Sequence, residues 1–161
     1  PHLCDAGINF NFHYHNIHIP DFGKSMVPHT AMDPNVMVFS LFPGMQDNIV
    51  RHVLEVPQLR SIVMRSYGSG NAPQFPWIIK LLREASERGV IIVNISQCVV
   101  GNVEMGRYDT SYQLKDMGIV SGRDCTVEAA VTKLMYLQGR YTDSHIIRSC
   151  MEDSIAGEMT I

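Results

Sequence analysis

Three short apolar runs alternate with segments of helical periodicity, and this alternation limits the possible folds more than any other feature of the sequence. The runs begin at Val36, Ser61 and Val90, and each spans four to seven residues. Strands buried on both faces are apolar along their length, and strands that alternate with helices pair in parallel. The sequence therefore predicts an α/β domain, a small parallel sheet of about four strands flanked by helices in a flavodoxin-like three-layer arrangement.

The helical segments between and after these runs carry their own start and stop signals. The two longest begin near Pro76 and Thr126, residue types favoured at helix starts, and we expect Gly89 and Gly139 to end them. Shorter helices are predicted around residues 49–54, around 112–117 and after Thr142 or Asp143. These helices are long enough to cover both faces of the predicted sheet.

The first 35 residues differ from the rest of the chain. Apolar Ile8, Phe10, Phe12 and Tyr14 alternate with polar residues, which predicts a half-buried strand. Residues 20–35 are rich in proline and poor in apolar positions, which is typical of a connection. We therefore divide the chain into an amino-terminal strand and connection, 1–35, and a compact domain, 36–161. Because residue 1 is a proline and not methionine, we expect a piece of a longer protein.

Composition excludes several classes of protein. The 161 residues carry a net charge of −3, with 45% hydrophobic and 18% charged residues, which is typical of a single globular domain. Within these residues, no apolar run has the length of a membrane span, no basic stretch precedes an apolar one as in a signal peptide, and no basic stripe suits nucleic acid. The four cysteines are widely spaced, which favours free thiols in a reducing cytoplasm over disulfides or a zinc ribbon.

The carboxyl ends of parallel strands are the usual place for a ligand, and three segments follow them here: 43–45, 65–71 and 96–98. In the middle segment, the guanidinium of Arg65 suits a carboxylate or phosphate. The Gly-x-Gly at 68–70 is only a partial dinucleotide motif. Pro73 occupies the third glycine position, and the next run ends without an acidic residue. We therefore disfavour a nicotinamide cofactor, and a simple tight turn remains the alternative.

Histidines and Cys98 suggest two further sites, and both are weak. His13 and His15 would share a strand face, with His18 nearby, but only His2 or Asp21 could complete a metal shell by folding back. We expect exposed histidines and no metal. Cys98 lacks the flanking glycines of a nucleophile elbow, so it is predicted to line a pocket and not to act as a nucleophile.

Four ordered blocks resemble the carboxyl-terminal domain of cytoplasmic (type I) L-asparaginases: residues 65–73, 94–98, 106–108 and 124–134. The resemblance implies hydrolysis of L-asparagine to L-aspartate and ammonia without metal or organic cofactor. It also implies that the nucleophilic threonine of a T-G-G-T motif lies in an amino-terminal domain. Neither T-G-G-T nor T-D-T occurs in this chain, so we expect no catalytic residue here and no activity from the chain alone.

The resemblance assigns roles to five residues. Asn71 matches the asparagine that reaches the amino and carboxylate end of a substrate held by a neighbouring subunit, and Tyr108 matches a residue beside it. Positions matching Arg65 and Cys98, with Ser66 next to them, belong to an allosteric asparagine site in some members. Two alternatives remain open. Asn71 is also suited to a turn with a left-handed backbone, and Arg65 could pair with a carboxylate of its own chain.

The partners expected from the resemblance are L-asparagine, the chain's own amino-terminal domain and further copies in a dimer or tetramer, in the cytoplasm. Nucleic acid and membrane are not expected. Within the same resemblance, a preference for glutamine or for an amidated transfer RNA stays open. The competing hypothesis is a stand-alone flavodoxin-like or nucleotide-binding module without an enzymatic parent.

Overall fold

The predicted alternation of strands and helices is present in the computed structural model, which describes residues 3–106 and 109–160. The elements in chain order are β1 (Cys4–Ala6), β2 (Phe10–Phe12), a 3-10 turn (Tyr14–Asn16), β3 (Val36–Ser40), α1 (Asp47–Leu54), β4 (Ser61–Ser66), α2 (Pro76–Glu87), β5 (Ile91–Ser96), α3 (Asp109–Asp116), β6 (Val120–Ser121), α4 (Val127–Arg140) and α5 (Ser144–Glu152). The α/β class predicted from the sequence is confirmed.

The central sheet contains four parallel strands in the order β3-β4-β5-β6. Because this order is sequential, right-handed crossovers place α1, α2 and α3 on the same face, and α4 and α5 then cover the other. The winding never reverses within the sheet. There is therefore no topological switch point of the kind at which doubly wound folds bind nucleotides.

Each strand contributes alternate side chains to two separate cores, as the two-residue period of a strand requires. Ile62 and Met64 of β4 pack in the core that contains residues of α1 and α2, whereas Val63 packs in the core that contains residues of α4 and α5. Neighbours on β5 repeat the pattern, with Ile92 in the first core and Val93 in the second. Two covered faces explain why these runs are apolar throughout.

Helix ends follow the sequence signals with one exception. Pro76 is in the first turn of α2, Gly89 takes φ +91° after it, and the Thr126 hydroxyl accepts a hydrogen bond from the Ala129 amide at the start of α4. The prediction that Gly139 ends α4 is wrong, because the helix continues to Arg140. A Cβ at position 139 would lie 2.3 Å from the Ala31 carbonyl oxygen, so this glycine serves close packing. No helix in the described parts of the chain is long and apolar enough to cross a membrane.

The amino-terminal strand is shorter and more exposed than predicted. It forms an antiparallel hairpin of three residue pairs with β1, and the strand ends at Phe12. Phe10 and Phe12 remain 68% and 49% exposed, so the predicted half-burial is wrong for this chain. The alternating pattern correctly indicates a strand with an apolar face, but nothing in the described chain covers that face.

Residues 17–35 contain no helix or strand, in agreement with the loop predicted for 20–35. The last part of this segment is nevertheless anchored at the amino end of the sheet. The Asp33 amide donates to the Met135 carbonyl of α4 at 3.0 Å, and the Asp33 carboxylate accepts from Arg60 Nη1 at 2.6 Å. The segment therefore connects the hairpin to the sheet without forming a helix or strand, and the contacts of Asp33 attach its last part to α4 and to the residue before β4.

Candidate functional site

The three segments singled out from the sequence lie at one edge of the sheet. Ser40 of β3 pairs with Arg65 of β4, and Ser66 pairs with Ser96 of β5, so the loops after these strands leave side by side. Gln97, directly after β5, crosses between them. Its Nε2 donates to the Leu41 carbonyl at 2.6 Å and to the Arg65 carbonyl at 2.9 Å. This carboxamide therefore joins the ends of three neighbouring strands.

The turn after β4 presents Asn71. Tyr67 and Asn71 exchange two backbone hydrogen bonds of 2.9 Å, which closes a tight loop over three residues. Gly68 and Gly70 take the positive φ angles of this loop, +51° and +110°, and Asn71 does not. The alternative in which Asn71 is present to tolerate a left-handed backbone is therefore wrong. Its half-buried side chain is carried by a backbone that other residues hold in place.

Two residues that sequence reasoning did not assign hold this turn from β5. Asn94 Nδ2 donates to the Gly70 carbonyl at 3.0 Å, and Ser96 Oγ donates to the Gly68 carbonyl at 2.6 Å. Ser96 Oγ also accepts from the Cys98 amide at 3.0 Å. The available signal was polarity: Asn94 interrupts an otherwise apolar buried run, and a buried polar group requires hydrogen-bond partners.

Arg65 lies near the carboxyl end of β4, on the face of the sheet that α4 and α5 cover. Only part of its guanidinium makes hydrogen bonds. Nη1 lies 3.5 Å from Ser40 Oγ, a long hydrogen bond, and Nε is buried. Within residues 3–106 and 109–160, Nε meets no acceptor and no carboxylate forms an ion pair with Arg65. The alternative in which Arg65 pairs with a carboxylate of its own chain is thus absent from the described structure.

The three residues assigned to an allosteric site do not all converge. Arg65 and Ser66 are consecutive in β4 and point to opposite faces of the sheet. Ser66 is fully buried, and its hydroxyl donates to the Ile95 carbonyl at 3.2 Å. Cys98 is exposed beyond the end of β5. Arg65 and Cys98 are thus the two side chains of this set that solvent reaches. Tyr108, the companion assigned to Asn71, lies outside the described residues.

The cysteines and histidines show no catalytic arrangement in the described part of the chain. All four cysteines are free thiols, and burial raises the pKa of Cys125 to about 11. The prediction that His13 and His15 share a strand face is wrong, because β2 ends at Phe12 and His15 lies in the following 3-10 turn. His13 Nε2 contacts an Asp5 carboxylate oxygen at 2.8 Å. Among the described residues, no three potential ligands form a metal-binding group.

A buried ion pair lies away from this edge, between α4 and the carboxyl-terminal segment. The Lys133 ammonium, 2% exposed, contacts Glu158 Oε1 at 2.6 Å and donates to the Asp153 and Met151 carbonyls at 2.5 and 3.4 Å. Burial would raise the pKa of Glu158, but Lys133 and the amides of residues 155 and 156 outweigh burial and lower this pKa to about 2. Lys133 therefore has three acceptors for its three protons, which indicates a structural role.

Comparison with known proteins places these features in a family. The model of the glutaminase/asparaginase C-terminal domain family matches residues 35–151. The chain is 37% identical to L-asparaginase 1 of Escherichia coli over 160 residues, which are 99% of this chain and 47% of that protein. The crystal structure of L-asparaginase I from Vibrio cholerae matches with a TM-score of 0.88 and 35% identity, over 99% of this chain and 48% of that one.

The same domain also matches a protein with a different name. The 60 kDa lysophospholipase of Mus musculus is 40% identical over 141 residues, which are 86% of this chain and 25% of that protein. The chain thus spans about half the length of the two bacterial asparaginases and a quarter of the mouse protein.

Proposed function

The chain belongs to the glutaminase/asparaginase C-terminal domain family, and from this premise we propose that it is the carboxyl-terminal domain of an enzyme that hydrolyses L-asparagine to L-aspartate and ammonia. The observation that carries the proposal is the match to two bacterial L-asparaginases across 99% of this chain, in sequence and in structure. We assign no catalytic residue to this chain, and the nucleophile to the other half of the enzyme.

Within this proposal, Asn71 positions the substrate. A carboxamide both donates and accepts hydrogen bonds, so it can orient the amino and carboxylate groups of an amino acid held by a neighbouring subunit. The fixed turn around Asn71 supports this role, because positioning requires a side chain whose backbone does not move. Tyr108 is proposed as its companion, so that the domain supplies orientation while the other half of the enzyme supplies chemistry.

Arg65 and Cys98 are proposed to form an effector site for asparagine at the same edge. The partly used guanidinium of Arg65 supports this assignment, because it retains donors that suit a carboxylate. Ser66 is included as a residue that fixes the strand next to Arg65 through its bond to the Ile95 carbonyl. No cofactor or metal is required for either site.

The exposed hairpin supports a partner domain. Its apolar side chains are uncovered, Phe10 and Phe12 stack with ring centroids 6.3 Å apart, and Ile8 is fully exposed. Large exposed apolar surface of this kind marks an interface. We propose that residues 1–35 form the connection to the catalytic half of the enzyme and that 36–161 form the C-terminal domain. Assembly into a dimer or tetramer in the cytoplasm is part of the same proposal.

The first experiment is ammonia release from L-asparagine by the complete gene product, with this chain alone as the control. We expect turnover by the complete protein and none by the chain. The competing substrates are L-glutamine, which the resemblance leaves open, and a lysophospholipid, because the relatives include a protein named lysophospholipase. Preferential hydrolysis of either would replace the proposed substrate. Thermal stabilisation by nucleotide would instead favour the binding-module hypothesis.

Two variants of the complete protein test the assigned residues. Asn71→Ala should lower kcat/KM for asparagine by about 10–100-fold, because the substrate loses an orienting group. Arg65→Ala should convert sigmoidal into hyperbolic kinetics. The control is Arg83→Ala, which replaces an arginine on the surface of α2 and should leave the dependence of rate on asparagine concentration unchanged. If cooperativity survives in Arg65→Ala, the effector site is not at this edge.

A further inference from the structure

One face of β5 contacts the turn that carries Asn71 at two points. Asn94 and Ser96 are two residues apart on the strand, so their side chains point to the same face. They contact the carbonyls of Gly70 and Gly68, which are likewise two residues apart, at 3.0 and 2.6 Å. The side chains of one strand thus extend the backbone ladder into the loop of the neighbouring strand.

The peptide unit between Gly70 and Asn71 is held from both sides. Its carbonyl accepts from Asn94 Nδ2, and its amide donates to the Tyr67 carbonyl at 2.9 Å. Because a peptide unit is planar, these two bonds fix its orientation, and the Asn71 carbonyl, which accepts from the Tyr67 amide at 2.9 Å, fixes the next unit. Together they set the direction in which the Asn71 side chain leaves the backbone. The position of the Asn71 carboxamide therefore depends on a residue in another strand.

The segment after β5, at residues 103–104, also contacts this turn. A Cβ on Gly70 would lie 2.8 Å from Val103 Cγ1 and 3.2 Å from Asn94 Nδ2, so the turn touches both. The Glu104 amide donates to the Ser69 carbonyl at 3.1 Å, which joins the segment after β5 to the same loop. The turn is thus enclosed by residues that do not themselves carry Asn71.

Asn94 is an unfavourable choice for the core alone. It is fully buried, and its Oδ1 finds no donor among the residues described. A buried carboxamide with an unmatched oxygen is destabilising, whereas an aliphatic side chain there would extend the apolar strand. Its amide group is useful where the Gly70 carbonyl needs a donor. The Asn94 side chain therefore contributes a hydrogen bond to the turn, whereas in the core it leaves a polar atom without a partner among the described residues.

We propose that Asn94 and Ser96 are positioning residues for asparagine hydrolysis, which set the direction of the Asn71 carboxamide without contacting substrate. This inference rests on the proposed function, in which Asn71 contacts the substrate. It adds that the efficiency of the substrate site depends on hydrogen bonds from β5 to the loop after β4.

The test is a double-mutant cycle in the complete gene product with Ser96→Ala, Asn71→Ala and the double variant. Ser96→Ala should lower kcat/KM for asparagine about 5-fold, chiefly through KM. In the Asn71→Ala background it should lower kcat/KM no further, because Ser96 acts through the residue already removed. Ser96 is half-buried, so water can reach the freed carbonyl and the variant is expected to fold.

Ser86→Ala is the matched control. The Ser86 hydroxyl donates to the Met117 carbonyl at 2.7 Å, the same kind of bond, on α2 and away from the turn. It should lower the thermal midpoint about as much as Ser96→Ala and leave kcat/KM unchanged. Asn94→Leu extends the test, with an expected loss of kcat/KM at least as large as in Ser96→Ala and equally absent from the Asn71→Ala background.

Three results would contradict the inference, and they differ in whether they also contradict the role of Asn71 in the proposed function. If Asn71→Ala lowers kcat/KM but Ser96→Ala adds its own independent loss, Ser96 does not act through Asn71 and only the inference fails. An unaffected kcat/KM in Ser96→Ala has the same meaning. If Asn71→Ala itself leaves kcat/KM unchanged, the role of Asn71 in the proposed function fails together with the inference.

Discussion

Two arginines lie at opposite ends of β4, Arg60 directly before its first residue and Arg65 next to its last, and their guanidinium groups have different partners. At the amino end, Arg60 Nη1 contacts the Asp33 carboxylate at 2.6 Å and the Gln138 carbonyl at 3.3 Å. At the carboxyl end, the one polar contact of the Arg65 guanidinium in the described structure is a 3.5 Å approach to Ser40. Both arginines are half-buried, so burial does not explain the difference.

The difference indicates which end of the sheet is structural and which is available to a ligand. A half-buried cation with a carboxylate partner stabilises the fold, whereas one without a partner contributes little and costs part of its desolvation. The carboxyl end is instead held by neutral side chains, Asn94, Ser96 and Gln97, that bind carbonyls. Its arginine has a buried Nε that meets no acceptor within the described residues.

The largest effect is expected where a cation is both paired and fully buried. Lys133→Met should destabilise the chain by about 3–5 kcal/mol, because it leaves the Glu158 carboxylate buried without its cation. Urea unfolding followed by circular dichroism measures this. The double variant Lys133→Met, Glu158→Gln should recover much of the loss. A single-variant loss below about 1 kcal/mol would show that the pair is solvated in solution.

Acid should weaken the same pair. The folded pKa of Glu158 is about 2, below its ordinary value of 4.5, so the unfolded state binds its proton first as the pH falls. Stability from this group is complete above about pH 5 and should decrease by about 3 kcal/mol between pH 4.5 and pH 2. Unfolding curves across this range, with Glu158→Gln as control, measure the contribution. An identical slope in the control would assign acid sensitivity to other carboxylates, such as Asp33 and Asp124, whose pKa values are also lowered.

Arg60→Met should cost about 1–2 kcal/mol, less than Lys133→Met because the Arg60 side chain is 38% exposed. The Asp33 carboxylate would lose its cation while keeping its bonds from Asn35. Chemical denaturation of the two variants side by side measures the difference. An Arg60→Met variant as stable as the parent would remove the contrast between the two ends of β4.

Arg65→Met should have the smallest effect on stability, between no change and a gain of about 1 kcal/mol, because it removes a buried Nε that has no acceptor in the described chain. The same denaturation experiment measures it. A loss larger than that of Arg60→Met would reverse the comparison and make Arg65 a structural residue.

Local patterns in the amino-acid sequence predict a large part of this fold. Apolar runs and helical periodicity identified three of the four sheet strands and the major helices, and four ordered blocks identified the family. β6 cannot be predicted in this way, because two residues, Val120 and Ser121, are too short to show the two-residue period of a strand. They form a strand only by pairing with Val93 and Asn94. The alternation at residues 8–14 predicts one strand of the hairpin but neither its partner β1 nor its exposure, because pairing and burial depend on other parts of the fold.

The contacts that hold the candidate site in place depend on tertiary packing. The sequence pointed to Asn71 and Arg65 through a resemblance, but it contains no signal that Gly70 receives a hydrogen bond from Asn94, 24 positions away. Nor does it reveal that, within the described residues, Arg60 has a carboxylate partner and Arg65 has none. The physical reason is common to both: periodicity reports which face of an element is apolar, whereas hydrogen bonds between loops depend on register and crossover geometry, which exist only once the sheet has formed.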